Sequence, residues 1–95
     1  MATKVGLLHL ELMVGDAMTL KDKRRVVKSF KDRIANRFNV SIAEVDHLDS
    51  IRRCLLAVVM VSNDSRYIEG ALQQIVNAAT GHPGWFLVDY ELEQL

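Results

Sequence analysis

The chain has one cysteine, one proline, no long apolar run and no net charge, and each shortage excludes something. The single Cys54 rules out an internal disulfide framework; within a strand-like run it reads as a small buried apolar residue in a reducing cytoplasm. The longest apolar run, Cys54 to Val61, spans 8 residues, against the roughly 20 needed to cross a bilayer as a helix. No membrane is therefore expected among the partners. The N-terminus has no cationic stretch followed by an apolar segment and a cleavage site, so no secretory signal is visible. The glycines do not cluster into a phosphate cradle, and no catalytic or metal-binding motif is apparent. No cofactor and no metal are expected. Residues 38–50 and 84–95 contain no Lys or Arg.

The positive charge is concentrated elsewhere. Of 12 Lys and Arg, 8 fall between Thr19 and Phe38: Lys21, Lys23, Arg24, Arg25, Lys28, Lys31, Arg33 and Arg37. Only Asp22 and Asp32 oppose them, a local excess of 8 − 2 = +6 in a chain of net charge zero. Thr19 with Asp22 forms a helix-start signal, a capping box with the shorter acid. At about 100° per residue from Leu20, the apolar Leu20, Val27, Phe30 and Ile34 fall near 0°, 340°, 280° and 320°. Lys31, Arg24, Lys28, Lys21 and Arg25 occupy the adjoining arc, from about 20° to 140°. A solvated charged face is the default for any surface helix. Charge of nearly one sign repels itself instead of supporting the helix through paired neighbours, and this favours a binding surface.

Around that helix the pattern is regular. Val5 to Val14 alternates and predicts a strand with Leu8, Leu10, Leu12 and Val14 on its apolar face. Asn39 to Asp46, rich in β-branched residues but irregular in polarity, fits an edge strand. Ile51 to Ser62 contains Leu55 to Val61, apolar on both faces, as suits a central strand. Ser62-Asn63-Asp64 supplies N-caps for a helix whose apolar positions are Ile68, Ala71, Leu72, Ile75, Val76 and Ala79. Gly81 stands where a left-handed C-terminal residue is wanted. Trp85 to Glu93 alternates again, with Phe86, Val88, Tyr90 and Leu92 expected inward and Leu87, Asp89, Glu91 and Glu93 outward.

Ninety-five residues make one domain, and the order β-α-β-β-α-β predicts an α+β ferredoxin-like fold, a four-stranded antiparallel sheet with two helices on one face. Its other face would carry Leu7, His9, Met13, Trp85 and Leu87 together with one side of the third strand. An apolar patch of that size marks an interface, so homo-oligomerisation through the open sheet face is expected.

The first strand Val-Gly-Leu-Leu-His-Leu-Glu-Leu, the stretch from Thr19 to Ser29 with its Leu-Lys-acid-Lys-Arg signature, the segment Arg37 to His47, Val61-Ser62-Asn63-Asp64 and Asp89-Tyr90-Glu91 together resemble the small bacterial YlxP-like proteins. The resemblance spans nearly the whole chain; Thr19 replaces the usual serine and keeps the capping hydroxyl. It implies a ferredoxin-like fold and a family of unknown biochemical function. Genes of that family often neighbour those of translation-initiation and ribosome-maturation factors, which by association implies a role near RNA or the ribosome. The family offers no established catalytic residues.

Three functional readings follow. In the first, a non-catalytic RNA- or ribosome-associated protein contacts phosphates of ribosomal RNA, or of a ribosomal particle, through Lys21, Arg24, Arg25, Lys28 and Lys31. Arg52 and Arg53 would extend the patch. No basic, aromatic-rich stretch occurs on the third strand, and Phe30, Phe38, Tyr67, Phe86 and Tyr90 read as core, so contact through backbone and shape is expected. In the second, a homodimeric interaction module docks an acidic protein on the same helix. In the third, an enzyme, the candidates are thin. Acylphosphatases share the topology, but Gly15-Asp16-Ala17-Met18 places an acid where their anion loop needs glycines and arginine. Glu44, Asp46, His47 and Asp49 make the best ligand-like cluster and read as a solvated turn. His9, Glu11, Asp89 and Glu91 could converge on the open face as an interface network.

Overall fold

The computed structural model describes residues 2–95. Strand β1 (Lys4–Met13) leads through a short loop into helix α1 (Leu20–Arg37), followed by β2 (Ser41–Asp46), β3 (Arg53–Ser62), helix α2 (Ser65–Gly81) and β4 (Phe86–Gln94). The strands pair antiparallel in the order β2-β3-β1-β4. This is the ferredoxin-like arrangement, with both crossover helices on one face of the sheet.

The start of α1 is set by its cap. The Thr19 hydroxyl accepts from the Asp22 N–H at 3.1 Å, and the Asp22 carboxylate accepts from the Met18 N–H at 3.0 Å. That bond from Met18 holds the Asp22 carboxyl below its ordinary range. Asp64 caps α2, accepting from Arg66 and Tyr67. Gly81 closes α2, but the left-handed residue lies three positions on: Gly84 has φ 98°, and its missing Cβ admits the Val26 side chain.

The core lies between sheet and helices. β1 contributes Leu8, Leu10 and Leu12, β3 contributes Cys54, Leu56, Val58 and Met60, α1 contributes Val27, Phe30 and Ile34, and α2 contributes Ile68, Leu72, Ile75 and Ala79. Gly6 lets α2 approach β1, since a Cβ there would run into Ile68.

β4 departs from strict alternation. A bulge beside Glu11 and Leu12 pairs Glu11 with Asp89 but Leu12 with Leu87, leaving Val88 between them. The extra residue reverses the faces at the start of the strand. Leu87 therefore packs against the core, and Phe86, opposite Met13, turns to the open face with 72% of its surface exposed. Trp85 is buried as well. Its indole N–H donates to the Ala79 carbonyl at 2.9 Å, and its ring meets those of Phe30 and His82. The expectation that Trp85 and Leu87 belong to the open face is thus corrected, and Phe86 takes their place.

Candidate nucleic-acid interface

Eighteen residues of α1 display the cations. Lys21, Arg24, Arg25 and Lys28 are exposed and Lys31 is half-buried beside them, as the wheel predicts. Lys28 pairs with Asp32 at 2.6 Å, an exposed contact of little energetic weight. Arg24, Lys28 and Lys31 line a cleft of about 400 Å³ between α1 and β2, with Val27, Asp32 and Glu44 on its remaining walls.

Arg52 and Arg53 do not join this surface in the same way. Arg52 lies at the end of the sheet from which α1 starts, and its Nε donates to the Ala17 carbonyl at 3.2 Å, bracing the loop into the helix. Arg53 pairs with Met13 in the sheet register, which sends its side chain to the open face; there it lies 3.5 Å from Glu11. The expectation that Arg53 extends the helical patch is corrected by strand alternation.

Lys23 behaves differently from its neighbours. Its side chain is 1% exposed, with Nζ 2.7 Å from Glu44 Oε2 and 2.7 Å from the His47 carbonyl oxygen. The contact with Glu44 is a close ion pair whose angles fall outside good hydrogen-bond geometry; that with His47 is a hydrogen bond. His47 adopts φ 60°, and its carbonyl also accepts from the Ser50 N–H. Lys23 thus ties α1 to β2 and to the β2–β3 turn. The signal was present in the sequence, since Lys23 falls near 300° on the wheel, between Phe30 and Ile34.

Glu44 also bears on Cys54. Burial, with the Glu44 charge nearby, pushes the Cys54 thiol up to about 12. Asp46 accepts from the His47 N–H at 2.7 Å. Among the described residues, no three or more His, Cys, Asp or Glu side chains are grouped to hold a metal ion.

On the open sheet face, register sets His9 opposite Glu91 and Glu11 opposite Asp89. With Leu55 and Tyr90 they line a depression of about 300 Å³. Around it Leu7, Leu55, Ala57 and Val59 are half-buried, and Met13, Val61 and Phe86 are exposed. Leu7, His9 and Met13 therefore occupy the face expected of them. The aromatics diverge from expectation: Phe30 is core and Phe38 packs against it, but Tyr67, Phe86 and Tyr90 are exposed.

The domain is thus an α+β ferredoxin-like unit with a basic helix on one side and an uncovered sheet on the other. The chain belongs to the family described as "Protein of unknown function (DUF503)", whose model matches residues 5–92. It is 35% identical over 72 residues to the uncharacterized protein YlxP of Bacillus subtilis (strain 168), covering 76% of this chain and 78% of that protein. Among solved structures, the de novo designed protein Foldit4 superposes with TM-score 0.58 at 11% identity, covering 97% of this chain and 96% of the design. SnoaB, a cofactor-independent oxygenase from Streptomyces nogalater, superposes with TM-score 0.53 at 14% identity, covering 99% and 92%. At such identities the two structures establish the fold alone. Among the described residues, no helix is long and apolar enough to cross a membrane.

Proposed function

We propose that this chain is a non-catalytic, cytoplasmic RNA- or ribosome-associated protein that holds phosphate backbone on the exposed flank of α1. The observation that carries the reading is the charge left free on that flank. Asp22 is turned back onto the Met18 N–H and Asp32 is taken up by Lys28, so the exposed Lys21, Arg24 and Arg25 and the half-buried Lys31 have no ion-pair partner within 4 Å among the described residues. Cations so placed displace the counterions condensed on RNA.

The test is binding to ribosomal RNA fragments across a salt series, beside a variant with Arg24, Arg25, Lys28 and Lys31 changed to Gln. With about five phosphates contacted, affinity falls roughly a hundredfold between 50 and 200 mM salt, and the variant loses that dependence. Absence of binding by the native protein at 50 mM salt defeats the reading.

A second reading rests on a separate observation, the apolar sheet face without a covering layer. It supports a homodimer formed through Leu7, Met13, Val61 and Phe86, with α1 docking an acidic protein partner. Sedimentation equilibrium on the native chain and on a Val61→Glu/Phe86→Glu variant separates dimer from monomer; a native monomer at tens of micromolar removes this reading.

A further inference from the structure

We infer that the groove between the C-terminal end of α1 and the first turns of α2 seats one unstacked base of a single-stranded RNA. This rests on the RNA reading above and specifies its ligand.

The groove has a volume of about 350 Å³ and is lined chiefly by Arg37, Phe38, Arg66, Tyr67, Gly70 and Gln74. The topology creates it. α1 ends and α2 begins at the same end of the sheet, because α1 crosses between the parallel β1 and β2, and α2 between β3 and β4, which are parallel to each other and run the opposite way. Among the described residues its charged lining is two guanidinium groups and no carboxylate. In this it differs from the α1–β2 cleft, which contains Asp32 and Glu44, and from the open-face depression, which contains Glu11, Asp89 and Glu91. In the α1–β2 cleft the acids offset part of the charge of Arg24, Lys28 and Lys31, and in the open-face depression they dominate; in this groove nothing offsets the guanidinium groups.

Its apolar lining suits a base. Tyr67 is 60% exposed on the first turn of α2, and its side chain makes no hydrogen bond among the described residues. Phe38 packs against the core, and the Arg37 guanidinium carbon lies 5.2 Å from its ring centroid. That contact holds a planar cation at the rim, where it can pair with phosphate or stack on a base.

Gly70 provides an independent observation. It lies inside α2, where glycine costs about 0.5–1 kcal/mol relative to alanine. A Cβ at Gly70 would meet nothing within 4 Å, so packing within the chain does not demand glycine. What the missing side chain does is keep the floor of the groove open. Tyr67, Gly70 and Gln74 follow at spacings of three and four and share one stripe of the helix. A base over Gly70 would have an aromatic ring at one end and an amide at the other. The amide both donates and accepts, so it tolerates any base edge. Stacking is likewise indifferent to sequence, and the groove therefore selects unpaired strands over duplex.

Arg33 and Arg37 fall on the flank of α1 facing α2, and Lys31, Arg24 and Lys28 on the opposite flank. A strand with one base in the groove would cross the exposed face of α1 to reach those cations.

The test is fluorescence anisotropy with a labelled ten-nucleotide uridine RNA and with an RNA duplex, at 50 mM salt. Tyr67→Ala weakens single-strand binding about tenfold, the scale of one lost base–aromatic stack, and leaves duplex binding and the salt slope unchanged. Tyr67→Phe retains binding. Gly70→Leu fills the groove, reproduces the loss and leaves the melting temperature unchanged or higher. Equal single-strand binding by the native protein, Tyr67→Ala and Gly70→Leu, with binding still lost in the α1 quadruple variant, overturns the groove and leaves the α1 reading standing. No binding of either RNA by the native protein overturns both.

Discussion

Lys23 Nζ lies 2.7 Å from Glu44 Oε2 inside a helix face otherwise made of Val27, Phe30 and Ile34. A lone ammonium in such surroundings would be costly, and the Glu44 carboxylate and the His47 carbonyl offset that cost. The pair also fixes geometry, since β2 can move away from α1 only by separating the two charges.

Removing one member should therefore be worse than removing both. Lys23→Met leaves Glu44 largely buried and unpaired and is expected to lose about 3 kcal/mol. The double change Lys23→Met/Glu44→Leu should recover most of that loss. Urea denaturation of the four proteins in the cycle checks this, and strict additivity would refute the coupling.

His82 makes stability depend on pH. Burial against Phe30 and Trp85 holds its imidazole below the ordinary value, mainly by desolvation, which outweighs the opposing influence of the Val26 backbone. The folded state thus binds this proton less readily than the unfolded chain does. The contribution is fully present above about pH 6.5 and is lost as pH falls from there toward the lowered folded value. Urea midpoints between pH 8 and pH 5 should decline in the native protein, and less steeply in His82→Gln.

Cys54, fully buried with its thiol near 12, should resist alkylation at pH 8 in the folded protein. Labelling with iodoacetamide should proceed only through opening of the structure and accelerate with urea. Rapid labelling in buffer would place the thiol at the surface.

Two glycines should respond in opposite directions to the same substitution. Gly6→Ala pushes a methyl group into Ile68 and to 2.9 Å from Leu72, and should cost about 1–3 kcal/mol. Gly70→Ala meets open space and should stabilise α2 by about 0.5–1 kcal/mol. Thermal melts of the two variants read both signs.

The architecture was legible because its signals are local. Thr19 before Leu20, Asp64 before α2, the even-numbered leucines of β1 and the doubly apolar β3 each identify an element without knowledge of the others. The open face was read correctly at Leu7, His9 and Met13, which lie on an unbroken strand. It was misread at Trp85 and Leu87, because a single bulged residue at Val88 reverses alternation, and nothing in a period of two announces it. Arg53 was misplaced for a related reason: charge suggests a patch, but register decides the face. Lys23 was overlooked among its neighbours because residue type alone assigns lysine to solvent, although its angle on the wheel places it inside. Tyr67 was assigned to the core by its chemistry, and only the meeting of two helix ends leaves its ring free.

The bulge in β4 has a counterpart in β2, where pairing shifts between Glu44 and Asp46, so both outer strands of the sheet are kinked. Each outer strand also carries acids: Glu44 and Asp46 on one, Asp89, Glu91 and Glu93 on the other. Strand-by-strand growth into a continuous ribbon is blocked at either margin. In the homodimer of the second reading, copies meeting through the uncovered face with twofold symmetry would use up that face in doing so. An assembly of that kind would stop at two, because the kinked, acidic outer strands offer no edge for further pairing.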